Sequence, residues 1–132
     1  MRRCTGGALA VLLLVAACGS DDEEPEAATP AADAPTLQAT VGTEESPDAF
    51  EINLVDEDGE TVTELPAGEY NIEVSDPTSI HNFHLSGGDG AVDEKTAPTE
   101  KVETLWVVTF EPGEYRYMCD PHPSMNGRFT VT

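Results

Sequence analysis

From residue 37 onward, apolar or strand-favouring side chains recur at every second position. They fall into the sets Leu37, Ala39, Val41; Phe50, Ile52, Leu54; Tyr70, Ile72, Val74; Val102, Thr104, Trp106, Val108, Phe110; Tyr115, Tyr117, Cys119; and Phe129, Val131. A period of two lines one face of an extended strand, whereas a helix buries positions three and four apart. No stretch carries a helical stripe of useful length. The turn-forming runs DEDGE, LPAGE, SDPTS, SGGDG and EPGE separate the sets, and PAGEY and EPGEY each place a Gly turn before an alternating strand. Short, evenly punctuated strands of this kind predict an all-β fold, an antiparallel Greek-key sandwich or barrel.

The N-terminal third follows different rules. Arg2 and Arg3 precede an apolar run from Ala8 to Ala17, well short of the ~20 residues a spanning helix needs. Residues 1–17 therefore read as a signal peptide. Its ending, VAAC, resembles a lipobox, in which Cys18 becomes the first mature residue and carries the lipid; cleavage and release near Ala17 is the alternative. The paired arginines sit in RRCTGG, without the rest of a twin-arginine signal, so the export route stays open. Residues 18–36 are rich in Ala, Pro and acid and cannot bury enough apolar surface to fold, which makes them an extended tether. The folded domain is then 37–132, enough for a small sandwich core. The expected location is outside the cytoplasm, on the outer face of the cell membrane or in the periplasm, with the membrane touched only through the lipid at Cys18.

Charge and cysteine usage narrow the partners. The formal charge is −20, and removing Arg2 and Arg3 leaves 4 basic residues against 26 acids, or −22. Nucleic acid and anionic membrane surfaces are poor partners on that ground, so no nucleic-acid partner is expected. The acidity suits a cationic protein partner, a saline habitat, or simple solubility. Cys4 leaves with the signal and Cys18 takes the lipid, so Cys119 has no disulfide partner. A lone thiol in an exported protein is either reactive or a ligand.

Cys119 opens the run YMCDPHPSMNG, in which His122 and Met125 follow at intervals of three and Pro121 and Pro123 flank the histidine. A cysteine at a strand end followed by a tight loop can turn three donors toward one ion, leaving a neighbouring strand to supply the fourth. IHNFHLSGG, residues 80–88, offers it: if Phe83 and Leu85 face inward, alternation puts His81 inward and sends Asn82 and His84 outward. Two imidazoles, a thiolate and a weak axial thioether suit copper in both its oxidation states, whereas methionine is a poor zinc ligand. The ligand set expected is His81, Cys119, His122 and Met125, with His84 as the competing choice on its strand.

These residues resemble those of the cupredoxins, the plastocyanin- and amicyanin-like small blue copper proteins. HN at 81–82 and GEYRYMCDPHPSMNGRFTV at the C-terminus carry the resemblance, which covers the chain from about residue 37. It implies one type 1 copper bound through Nδ1 of His81 and His122, a short bond to the Cys119 thiolate and a long contact to Met125. It also implies that Asn82 ties its strand to the cysteine loop and that the edge of His122 is the electron port.

The function this implies is single-electron transfer between redox protein partners, by a monomer that is not itself an enzyme. Pro121 and Pro123 would stiffen the loop and add apolar surface for transient docking. Copper storage or delivery is the alternative, although the chain has no Met-rich or His-rich tract. A Cys119–His122 nucleophile pair lacks further candidate residues for a substrate site. Clustered His-x-His motifs and a Cys-x-x-Cys-His haem motif are absent from the sequence. Trp106, Tyr115 and Tyr117 are expected in the core, without a role as electron relays.

Overall fold

A computed structural model describes residues 28–132. The expected signal peptide, Cys18 and the tether up to residue 27 lie outside the described residues. Among the described residues nine strands form: β1 (Thr36–Val41), β2 (Ile52–Val55), β3 (Glu64–Leu65), β4 (Gly68–Asp76), β5 (His84–Gly87), β6 (Val92–Lys95), β7 (Val102–Phe110), β8 (Gly113–Met118) and β9 (Asn126–Val131). They make a four-stranded sheet in the order β2-β1-β4-β7 and a five-stranded sheet in the order β3-β9-β8-β5-β6. Among the described residues no helix is long and apolar enough to cross a membrane.

The all-β expectation holds, but the sheets are mixed. β1 pairs with β4 in parallel, Leu37 beside Ile72 and Ala39 beside Val74, and β3 pairs with β9 in parallel. Alternation tells which face a residue presents and is silent on the direction of the neighbouring strand, so the antiparallel expectation could not anticipate these pairs.

The core lies between the sheets, where the expected inward residues of β1, β4, β8 and β9 are buried. Tyr115 stacks on Phe129 with ring centroids 5.4 Å apart and meets Phe110 edge-on at 4.9 Å. Burying each such ring contributes roughly 1.5–3 kcal/mol. The Tyr115 hydroxyl donates to the Glu111 carbonyl at 2.9 Å, so the polar end of a buried ring is satisfied by the turn it packs under.

Three local expectations differ from the structure. Phe50, placed inward by its spacing to Ile52 and Leu54, precedes β2 and is 63% exposed. Along β7 only Val108 and Phe110 are buried, while Trp106 packs partly against the core and Val102 and Thr104 are only half-buried. Asn82, sent outward by alternation, is fully buried, because His81–Phe83 precede β5 and do not follow its pleat. At the domain's start, Asn71 accepts a hydrogen bond from the Ala31 amide and donates to the carbonyls of Ala31 and Ala34. Thus the last residues of the expected tether are tied to β4.

Candidate metal centre

The chain between β4 and β5 leaves the ladder, and side chains replace its backbone bonds. Thr78 Oγ1 accepts from the amides of Ile80 and His81, at 3.2 and 2.9 Å, in a tight turn that fixes where His81 leaves the backbone. Thr96 closes the other side: its hydroxyl accepts from the Phe83 amide at 2.9 Å and donates to Asp76 at 2.7 Å. Asp76 is a fully buried carboxylate, and burial raises its pKa above the ordinary value despite the bonds from Thr96 and Thr78.

The loop after β8 is shaped by its own backbone. The His122 amide donates to the Cys119 carbonyl at 3.2 Å, the Met125 amide to the His122 carbonyl at 2.9 Å, and the Cys119 amide to the Met125 carbonyl at 3.0 Å. Two successive turns and a closing bond therefore draw the backbone of Cys119, His122 and Met125 into one compact loop, a spacing of three read as geometry. Cys119 and Met125 are buried and His122 is half-buried.

At the candidate centre His81 Nδ1 lies 2.9 Å from His122 Nδ1, and Cys119 Sγ lies 3.7 and 3.6 Å from the two nitrogens. The three donor atoms all lie within 4.8 Å of one another and form a group that can hold a metal ion. The tautomer of His81 follows from its other nitrogen: Nε2 donates to the Asp48 carbonyl at 3.2 Å, which leaves the Nδ1 lone pair free toward the centre. With that assignment the Nδ1 contact between the rings is a hydrogen bond donated by His122, and a bound metal would replace its proton. Donor chemistry and spacing thus fit a soft, imidazole- and thiolate-binding ion.

Asn82 joins the two segments. Its Oδ1 accepts from the Asp120 amide at 2.7 Å, and its Nδ2 donates to Asp120 Oδ2 at 3.0 Å and to the Thr96 carbonyl at 3.3 Å. His84 stands apart from the donor group: Nδ1 meets Asp120 Oδ1 and Nε2 meets Asp93 Oδ1, both at 2.7 Å. Partial burial disfavours the charged imidazole, but the bonds and charges of Asp120 and Asp93 outweigh it and raise the His84 pKa. For Asp120, burial pulls upward, and the bonds from His84 and Asn82 win, holding its carboxyl below the ordinary value.

Sequence reasoning missed Phe50, Asp48 and Asp120. The Phe50 ring meets His81 edge-on at 5.1 Å and His122 at 4.8 Å, covering both imidazoles from the loop between β1 and β2. Gly42 allows that loop: its φ is +70°, and a β-carbon there would run into the Pro47 carbonyl. Asp48 acts through its carbonyl, which any residue carries, so no side-chain pattern could reveal it. Asp120 had a signal in its position next to the cysteine.

No protein-family model matches the chain. Over 52 residues it is 36% identical to amicyanin-alpha of Methylorubrum extorquens, a stretch covering 39% of this chain and 44% of that protein. The match thus spans less than half of that relative. Among solved structures, the copper protein rusticyanin superposes with a TM-score of 0.51 at 15% identity, over 74% of this chain and 76% of rusticyanin. Reduced rusticyanin in solution gives a TM-score of 0.51 at 16% identity with the same coverage.

Proposed function

We propose that this chain, which has the cupredoxin fold, holds one type 1 copper ion on His81, Cys119, His122 and Met125 and passes single electrons between redox proteins outside the cytoplasm. The observation that carries the reading is the convergence of His81 Nδ1, His122 Nδ1 and Cys119 Sγ, with their segments fixed by hydrogen bonds that need no metal. When bound, copper supplies a one-electron couple between its two valencies. The chain's part is to hold the donors still. Thr78 fixes the backbone at His81, the Asp48 carbonyl orients its ring, and Asn82 ties the cysteine loop to that segment. A donor set that moves little between valencies presents little reorganisation to an arriving electron.

Half-buried His122 is the port in this reading, and Phe50, Pro121 and Pro123 supply apolar surface beside it. Glu44, Glu45, Asp48 and Glu51 share the Phe50 loop and give that side a negative rim, which favours a cationic partner and makes association weaken as salt rises. We also assign residues 1–17 to a lipoprotein signal, 18–36 to a tether and 37–132 to the copper domain. Cys18 is then the anchor, and the protein is a monomer on the outer membrane face or in the periplasm. Copper delivery is the competing function. Repeated oxidation and reduction in the presence of a Cu(I) chelator separates them: an electron carrier keeps its copper through many cycles, and a delivery protein loses it within the first.

A further inference from the structure

His84 lies outside the donor group, yet its surroundings are specific. Both ring nitrogens face carboxylates at 2.7 Å, Asp93 from β6 and Asp120 from the loop that follows Cys119. A neutral imidazole has one N–H and one lone pair, so it can satisfy only one of two ionised carboxylates; both contacts are attractive only when the ring carries two protons. The charge map round the ring agrees. Lys95 lies opposite His84 on β6, and Met118 lies opposite it on β8. Arg116 on β8 turns its Nε to Ser86 at 3.5 Å. Two acids against one flanking lysine favour a positive ring.

We propose that His84 is a proton-binding site linked to the redox state of the metal centre, with the proton held between Asp93 and Asp120 and sensed through Asp120 and Asn82. This rests on the copper reading above. Asp120 shares its carboxylate between His84 and Asn82, and its amide, adjacent to Cys119, is bonded to Asn82. Among the described residues no hydrogen bond joins His84 to any of the four proposed ligands. On reduction, the electron comes from the redox partner and the proton from bulk water, and one N–H bond forms at His84. The added negative charge at the centre strengthens proton binding at His84, and by reciprocity the bound proton favours the reduced state. The raised pKa of His84 puts the titration above its ordinary 6.5, so the midpoint potential falls as pH rises through that window and levels beyond it.

The test is the midpoint potential of the copper-loaded full chain from about pH 5 to 9, for the native sequence, His84→Gln and Asp93→Asn. In parallel, NMR follows the His84 ring in the Zn(II)-loaded and Cu(I)-loaded native proteins, as stand-ins for the two charge states. The expected results are a sloped potential in the native protein, a flat one in His84→Gln, and a slope moved to lower pH in Asp93→Asn. His84 should bind its proton about 5-fold more tightly beside Cu(I) than beside Zn(II), at the lower end of common linkage energies. If His84→Gln fails to fold, Asp93→Asn and the NMR comparison decide alone. An unchanged slope in both variants, or equal proton affinity in the two metal forms, overturns the proposal while the blue centre stands. Absence of a thiolate-copper band in the native protein overturns the copper reading and this inference with it.

Discussion

β8 is held by different physics at its two ends. At the Tyr115 end, the ring stacks on Phe129 and meets Phe110, and the backbone stays in a regular ladder with β9. At the Cys119 end, the ladder stops. Three turn bonds, the Asn82 side chain and the Thr78–Thr96–Asp76 group take over. The apolar end supplies free energy with little demand on angle, since burial is non-directional. The polar end supplies direction, because each hydrogen bond fixes a distance and an orientation while adding only about 0.5–1.5 kcal/mol net. The buried core continues past Tyr117 and Phe83 to Cys119 and Met125, so what sets the Cys119 end apart is the directional bonding added to that burial.

Changes at the two ends should separate these contributions. The largest expected effect is Cys119→Ser, which removes the thiolate and should abolish the intense visible band of the copper-loaded protein while the β-sheet circular dichroism persists. Retention of that band would place the thiolate elsewhere. Phe129→Ala, at the opposite end, should lower stability by about 3–5 kcal/mol in denaturant titration and leave the visible spectrum unchanged. A shifted spectrum would mean that the two ends are mechanically coupled. Asn82→Ala removes three hydrogen bonds and strands the Asp120 amide; it should cost about 1–3 kcal/mol and weaken copper binding about 10- to 100-fold, read by chelator competition. A loss confined to stability would reduce Asn82 to a packing role.

The smallest effect is one of pH. His84 has a folded pKa above its ordinary 6.5, so its contribution is fully present below 6.5 and is lost as pH rises through the folded value. Stability of the metal-free protein should therefore fall across that window, and His84→Gln should remove the decline. An identical decline in the variant would assign it to another group.

What the sequence made legible follows the same division. Alternation marked the inward faces of β1, β4, β8 and β9, because their side chains obey the strand period. The intervals from Cys119 to His122 and Met125 are local, and the turns that close them use only the loop's own backbone. Alternation failed where the chain leaves the pleat, as at Asn82, and where an apolar ring covers a polar site, as at Phe50. Parallel pairing of β1 with β4 depends on a crossover between distant segments, which a period of two does not encode. The Asp93–His84–Asp120 arrangement joins two consecutive strands to a loop 36 residues from His84, and a period of two does not encode that meeting. Its members read singly as surface charges.

Electron transfer by this protein requires that the donors converging at His81, Cys119 and His122 bind copper through the thiolate. The measurement that tests it most directly is the visible absorption of the purified protein after addition of Cu(II), repeated after ascorbate and again after reoxidation. The expected result is an intense band in the red region that bleaches on reduction and returns on oxidation, with one copper per chain. A protein that remains colourless while elemental analysis finds one copper per chain would contradict it, since copper would then be bound without the Cys119 thiolate.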